Sequence, residues 1–333
     1  MKFLKTTLWA SITALALTAC GGDKPADNAA AAAPATETKT LAITAYVEHP
    51  ALDAARTGAI EQLAAEGFKE GENLKVTFQS AQGNMATVGQ IAKQFAGDKP
   101  DAIYAIATPS AQSVAAATTE IPVIFSAVTD PVEAKLVASL EKSGNNVTGA
   151  SDVLPYEPQI ELIRELIPNV KNVGYVYSPG EVNSTVVLKN LKEKLAPLGI
   201  NVIESSAPKS TDITQAAKAL EGKVDVIYTS TDNNVINAYE ALYQVAKEAK
   251  IPLISADTST VKRGAVAALG VNYTDLGKES GKIIAKVLKG EKPEAIPVYI
   301  SQNLDLYVSK KHAEEQGVTL PQAVLDRAAK VVE

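Results

Sequence analysis

Cysteine is almost missing from this chain: 333 residues hold one, Cys20. That excludes an intramolecular disulfide framework and any zinc site built on several thiolates. Histidine is nearly as scarce. His49 and His312 stand alone, without carboxylates or thiols at metal-ligand spacing. There is no H-E-x-x-H, no G-x-S-x-G elbow and no P-loop; GKESGK (277–282) has neither the spacing nor the preceding strand, and GNNVTG (144–149) lies between a helix and a strand. Neither metal nor organic cofactor is called for, and no enzymatic role is expected. A basic surplus is missing too. The formal charge of −6 argues against a nucleic-acid partner, whose footprint is a basic patch.

What is present begins with a distinct N-terminus. Lys2 and Lys5 precede an apolar stretch, 8–17, too short to span a bilayer as a mature helix. Charge, short apolar run and small residues make the parts of an export signal over 1–19. The site Leu17-Thr18-Ala19-Cys20 resembles a bacterial lipobox, which implies cleavage before Cys20 and its acylation. Residues 20–40, rich in Ala, Pro and polar residues, read as a tether between membrane and domain. The protein is expected outside the cytoplasm, on a membrane face.

From residue 41 onward, short apolar runs alternate with amphipathic helical stretches. LAITAYV (41–47), LKVTFQSA (74–81), AIYAIA (102–107), PVIFSAV (122–128) and VTGASDV (147–153) form one series. NVGYVYS (172–178), NVIESSA (201–207), DVIYTST (225–231), PLISADT (252–258) and AVAALGV (265–271) form a second. Strands separated by helices predict parallel sheets, and continuous apolar runs suit strands covered on both faces. DAIYAIATPSAQS (101–113) is echoed by DVIYTSTDNNVIN (225–237), so two similar doubly wound α/β lobes are predicted. The reading assigns 41–153 plus 274–300 to the first and 154–273 plus 301–333 to the second. The three crossings would form a hinge. Helices are expected over 110–118 and 132–140, among others.

Polar residues gather at the carboxyl ends of the strands, where open α/β sheets bind ligands. Glu48, Thr108, Ser110, Thr129 and Asp130 come from the first series; Asp232, Asn233 and Asp257 come from the second. Each also suits a helix cap. Ser110 opening a helix would seat a carboxylate with hydroxyl and free N–H groups, and Thr129 would add a second hydroxyl. Asp257, Asp232 or Glu48 would meet an ammonium. A zwitterion fits this set and a phosphate does not.

The phrases HPALDAARTG (49–58), SAQGN (80–84), IAKQFAGDKPDAIYAIATPSAQS (91–113), VIFSAVTDPVEAKLV (123–137), NVTGASD (146–152), TDNNV (231–235) and GVTLP (317–321) carry a family likeness. They resemble the tryptophan/tyrosine-type substrate-binding lipoproteins of ABC transporters, over essentially the whole chain after the tether. The resemblance implies the type I periplasmic-binding-protein fold, a monomer, an aromatic amino acid held between lobes, and a membrane permease with separate ATPase subunits as partners. It places the carboxylate on Ser110 and Thr129 and the ammonium on Asp257, with Asn183, Ser184, Asp232 and Asn233 completing the second wall. Two other roles fit the residues: a sensory receptor domain, and a cell-envelope hydrolase. The hydrolase would need His49 as its base, yet His49-Pro50 reads equally as a helix entry with proline at the first position.

Overall fold

In the computed structural model, which describes residues 38–333, the chain forms two sheets flanked by helices. The first part runs β1 (Lys39–Ala45), α1 (Pro50–Ala65), β2 (Leu74–Ser80), α2 (Met85–Asp98), β3 (Ala102–Ile106), α3 (Thr108–Ala117), β4 (Val123–Ser126) and β5 (Val147–Ser151). Next come α4 (Tyr156–Leu166), β6 (Asn172–Tyr177), α5 (Val182–Leu195), β7 (Asn201–Ser206), α6 (Ile213–Lys218), β8 (Val226–Thr229), α7 (Asn233–Asn237), α8 (Tyr239–Ala249), β9 (Leu253–Ser255) and β10 (Ala267–Gly270). The chain then crosses back through α9 (Tyr273–Leu288) to β11 (Tyr299–Ile300). It ends with β12 (Asp305–Ser309), α10 (Lys310–Glu315), α11 (Gln322–Asp326) and β13 (Lys330–Val332).

The first sheet has the order β11-β5-β4-β3-β1-β2, and the second β13-β12-β10-β9-β8-β6-β7. The apolar runs explain which strands sit centrally. β3 and β4 are buried at every position, whereas edge strands β2 and β7 mix half-buried and exposed residues as partly covered strands do. All pairings are parallel except β10–β12, because β12 enters from the far sheet and runs back along β10. Each sheet with its helices forms a lobe. One apolar cluster fills the first lobe, and two separate clusters cover the faces of the second sheet.

Two helices of the first lobe meet backbone to backbone. A Cβ on Gly58 of α1 would stand 2.2 Å from the Thr274 carbonyl oxygen; one on Gly277 of α9 would stand 2.1 Å from that of Ala55. Only glycine permits that approach, so α9 is seated by what these positions lack.

The helix expected over 132–140 is not formed. Residues 131–140 make turns, with Lys135 in the left-handed region at φ 58°. Gln112 Nε2 donates to the Ala134 carbonyl at 3.1 Å and Asn145 Nδ2 to that of Leu136 at 2.9 Å. Side chains thus take carbonyls that a helix would have satisfied internally.

Candidate ligand-binding site

The carboxyl ends of β3 and β4 build one wall. β3 passes into α3 through Ala107, whose φ of 75° and ψ of 152° suit glycine rather than alanine. Strain of this kind costs about 1–3 kcal/mol and persists where its surroundings over-determine it. α3 therefore starts at Thr108, with Pro109 second and Ser110 third, and not at Ser110 as the sequence pattern suggested. The cause is Pro109, whose fixed φ is ready for the first helical turn. Thr108 and Ser110 are buried, and neither hydroxyl has a hydrogen-bond partner. Beside them are the first-turn N–H groups that a helix cannot satisfy internally.

Thr129 is engaged differently. Its Oγ1 donates to Asp152 Oδ1 at 3.0 Å and lies 3.3 Å from Thr231 Oγ1 of the other lobe. The other Asp152 oxygen accepts from Tyr273 OH at 2.8 Å. The Thr129 hydroxyl thus already has two partners, Asp152 and Thr231. Asp130 uses its carboxylate to accept the N–H groups of Val132 (3.1 Å) and Glu133 (2.9 Å), closing the turn. Glu48, between β1 and α1, is exposed.

The opposite wall is centred on a residue the sequence reading passed over. Glu181, 2% exposed, follows β6. Its Oε2 accepts from Asn183 Nδ2 (3.1 Å), Asn233 Nδ2 (2.5 Å) and the Asn233 backbone N–H (3.2 Å). Its Oε1 has no partner, and neither has Asn183 Oδ1. Burial, then the charge of Asp232, raises the Glu181 pKa. Asp232 ties two strand ends together: it caps α7 at Val235 N–H (3.0 Å) and accepts the Ser178 N–H (2.6 Å) and hydroxyl (2.9 Å). Ser184 belongs to an internal chain, its carbonyl accepting from Tyr175 OH at 3.0 Å while that hydroxyl contacts Ser230 Oγ at 2.6 Å.

Asp257 caps the 3-10 turn Thr258–Arg263 through Ser259 N–H at 2.8 Å. Burial raises its pKa, and the Arg263 guanidinium opposes that rise. His49 is buried ahead of Pro50 and α1, and burial together with Arg263 lowers its pKa to about 3, so it stays neutral. From the first lobe, Tyr46 faces Glu181: its phenol is pushed up to about 12 by burial and then by the Glu181 charge, while its OH donates to the Gly83 carbonyl at 2.9 Å.

Leu154, Tyr156, Val187, Tyr228 and Ala256 join Thr129, Asp152 and Thr231 around a cavity of about 20 Å³, room for a single water. Gln159 and Ser230 complete the lining, so apolar and aromatic surface alternates with polar groups around a small space. A wider cleft of about 430 Å³ opens between Pro50 and Ala54 of α1, Asn272–Thr274, and Asp257–Arg263.

Two lobes on mostly parallel sheets, hinged by crossing segments and lined at strand ends, define a type I periplasmic-binding-protein fold. Residues 40–332 match the family model described as ABC transporter substrate binding protein, and the chain belongs to that family. The tyrosine-binding protein of Clostridioides difficile (strain R20291) is 41% identical over 272 residues, which are 82% of this chain and 79% of that protein. A structure from Streptococcus pneumonia in complex with L-Trp is 35% identical, with a TM-score of 0.86, covering 89% of this chain and 100% of that one. A ligand-free, open substrate binding protein with adhesive properties from Clostridium difficile is 41% identical over 89% of this chain and 99% of that one, with a TM-score of 0.67. The fit is better to the liganded structure despite lower identity. The lobes touch where Thr129 and Thr231 meet across the seam.

Of the residues singled out from sequence, Asn183 and Asn233 join directly around Glu181, and Thr129 meets Thr231 across the seam. Asp232, Asp130 and Asp257 spend oxygens on caps and turns, and Glu48 is exposed. Cys20 lies outside the described residues. The signal for Glu181 was an acid in a strand-end loop, SPGEVNS (178–184), a pattern shared with any solvated turn.

Proposed function

We propose that this protein captures an aromatic amino acid between its lobes and delivers it to the permease of an ABC importer powered by separate ATPase subunits. It acts as an exported monomer tethered by a lipid on Cys20. The observation that carries the reading is the set of buried, unpartnered polar atoms on both walls. Thr108 Oγ1 and Ser110 Oγ stand on one lobe, and Glu181 Oε1 and Asn183 Oδ1 on the other. Unsatisfied buried polar groups cost about 1–3 kcal/mol each, so groups left open near strand ends in both lobes support a bound partner. Tyr156 and Tyr228 supply aromatic wall for a ring to pack on. The relatives' tyrosine and tryptophan point the same way.

The test is thermal unfolding of the untethered domain, residues 38–333, refolded from denaturant to remove carried-over ligand. L-Tryptophan or L-tyrosine at about 100 times its dissociation constant adds about 2.7 kcal/mol, a shift of several degrees. Ser110→Ala should weaken that ligand by about tenfold or more, since a hydrogen bond to a charged group contributes roughly 1.5–3 kcal/mol. No shift with any aromatic amino acid, against a clear one with a sugar or peptide, would remove this reading.

A further inference from the structure

The geometry points to Asp152 as the residue that sets how long a ligand stays between the lobes. It is a positioning residue, acting through the contact at which the lobes touch. This rests on the reading of the cleft as an amino-acid site.

Asp152 stands where several pieces of the chain meet. It opens the first crossing, 152–155, between β5 and α4, while Tyr273 follows the second, 271–272, between β10 and α9. Thr129 lies just beyond β4. The Asp152 side chain joins all three: Oδ1 accepts from the Thr129 hydroxyl at 3.0 Å and Oδ2 from Tyr273 OH at 2.8 Å. Neither donor is free to turn away. The Tyr273 ring is packed in the apolar core of the first lobe, and the Thr129 carbonyl accepts from the Ser151 hydroxyl at 3.2 Å. Ala127, shortly before Thr129, has a φ of 56°, a left-handed conformation uncommon outside glycine.

The carboxylate gives this chain of bonds a direction. An ionised carboxyl accepts and does not donate. With Asp152 ionised, Thr129 gives it a proton and turns a lone pair to Thr231 Oγ1, 3.3 Å away on the second lobe. Hydrogen bonds linked in this way polarise one another, so an acid of the first lobe strengthens the contact with the second.

The surroundings of Asp152 fit such a task. It is 3% exposed, and its partners are two hydroxyls, with no lysine or arginine bonded to it. Burial raises its pKa and the two hydrogen bonds lower it, while Asp257 of the second lobe, another acid, lies in its field. A buried charge without a cation costs stability. Its seat is accounted for by what it holds. Thr129, Asp152 and Thr231 line the cavity of about 20 Å³, and Tyr273 lines the cleft of about 430 Å³. The bonded chain runs from that wide cleft to the seam, and the lobes cannot part without breaking its last link.

The experiment is dissociation of labelled L-tryptophan or L-tyrosine from the untethered domain after rapid dilution, with association measured on the same proteins. Asp152→Asn keeps the size of the side chain but leaves one acceptor oxygen for two donors. It should release ligand about tenfold faster and take it up within a few-fold of the wild-type rate. Thr231→Val removes the last link and should speed release by a similar factor. The double variant should be no faster than either single one, because both changes act on one contact. Tyr104→Phe loses a buried hydroxyl bond to the Ala55 carbonyl in the same lobe. It should melt lower with dissociation unchanged, which tells a general loss of stability apart. If Asp152→Asn does not fold, Tyr273→Phe keeps the carboxyl, removes one donor and should raise dissociation in the same direction. Unchanged dissociation in whichever of the two folds would overturn the assignment, and so would factors that multiply in the double variant. A wild type that bound no aromatic amino acid would remove the functional reading and this assignment with it, a result read before any variant is made.

Discussion

Gly277→Val is expected to lower stability by about 4–5 kcal/mol, toward the upper end of single substitutions. For a domain of this size that is a fall of on the order of 10 °C or more in the unfolding midpoint. The reason is that nothing flexible stands in the way. A Cβ at 277 would lie 2.1 Å from the Ala55 carbonyl oxygen and 2.8 Å from its carbon and Cα, all backbone of α1. Gly58 makes the reciprocal approach to Thr274, so the two helices cannot slide apart at one point without parting at the other. Ile283, Ile284, Val287 and Leu288 on α9 lie in the core of the first lobe and would be pulled from it. Gly89, mid-helix on α2 with nothing within 4 Å of its would-be Cβ, is the control. Gly89→Ala should raise stability by about 0.5–1 kcal/mol. A Gly277→Val protein melting within a degree or two of wild type would mean that α1 and α9 are not in backbone contact.

The second large effect is kinetic. Thr129 Oγ1 and Thr231 Oγ1, one from each lobe, are 3.3 Å apart. The pair Thr129→Cys and Thr231→Cys should oxidise to a disulfide, since side-chain termini at that distance reach the roughly 2.05 Å S–S bond by small rotations. Cys20 is the chain's only cysteine, so in the 38–333 fragment the two new thiols have only each other. The oxidised protein is then fixed closed around a cavity of about 20 Å³ and should neither take up nor release ligand on the timescale of a filter assay. Reduction of the same sample should restore exchange. Comparing the two redox states of one variant separates lobe motion from the effect of the substituted side chains. Equal exchange rates in both states would show that ligand enters without the lobes parting.

The architecture was legible because its signals are strong. Continuous apolar runs such as AIYAI and VIFS can be satisfied only in strands covered on both faces, and a polar burst after each marks where the strand ends. The segment after β4 failed for an identifiable reason: an apolar rhythm at 132–140 was overridden by the Gln112 and Asn145 side chains, which come from elsewhere in the chain. The start of α3 was missed by two residues because a serine reads as a cap, although Pro109, suited to a first helical turn, already signalled the earlier start. At the site, the sequence reading named Asn183 and Asn233 and passed over Glu181, to which both amides donate. Asp232 and Asp257 look like ligand acids in sequence, and Glu181 looks like a surface charge. Which carboxylate oxygens are left over once the caps are made depends on contacts spanning some fifty residues, such as that between Glu181 and Asn233.

The seat of α9 on α1 also sets an order of events. Residues 50–65 find their partner helix only at 273–288, more than two hundred positions later. Closing so long a loop is entropically unfavourable until the packing reward arrives, and folding with such distant contacts is slow. A chain emerging N-terminus first thus cannot complete its opening lobe while most of its length is still to come. If the molecule is threaded through a membrane pore before it folds, that delay keeps it linear for the passage. The late arrival of α9 would on that route hold the opening lobe unfolded until nearly the whole chain has crossed.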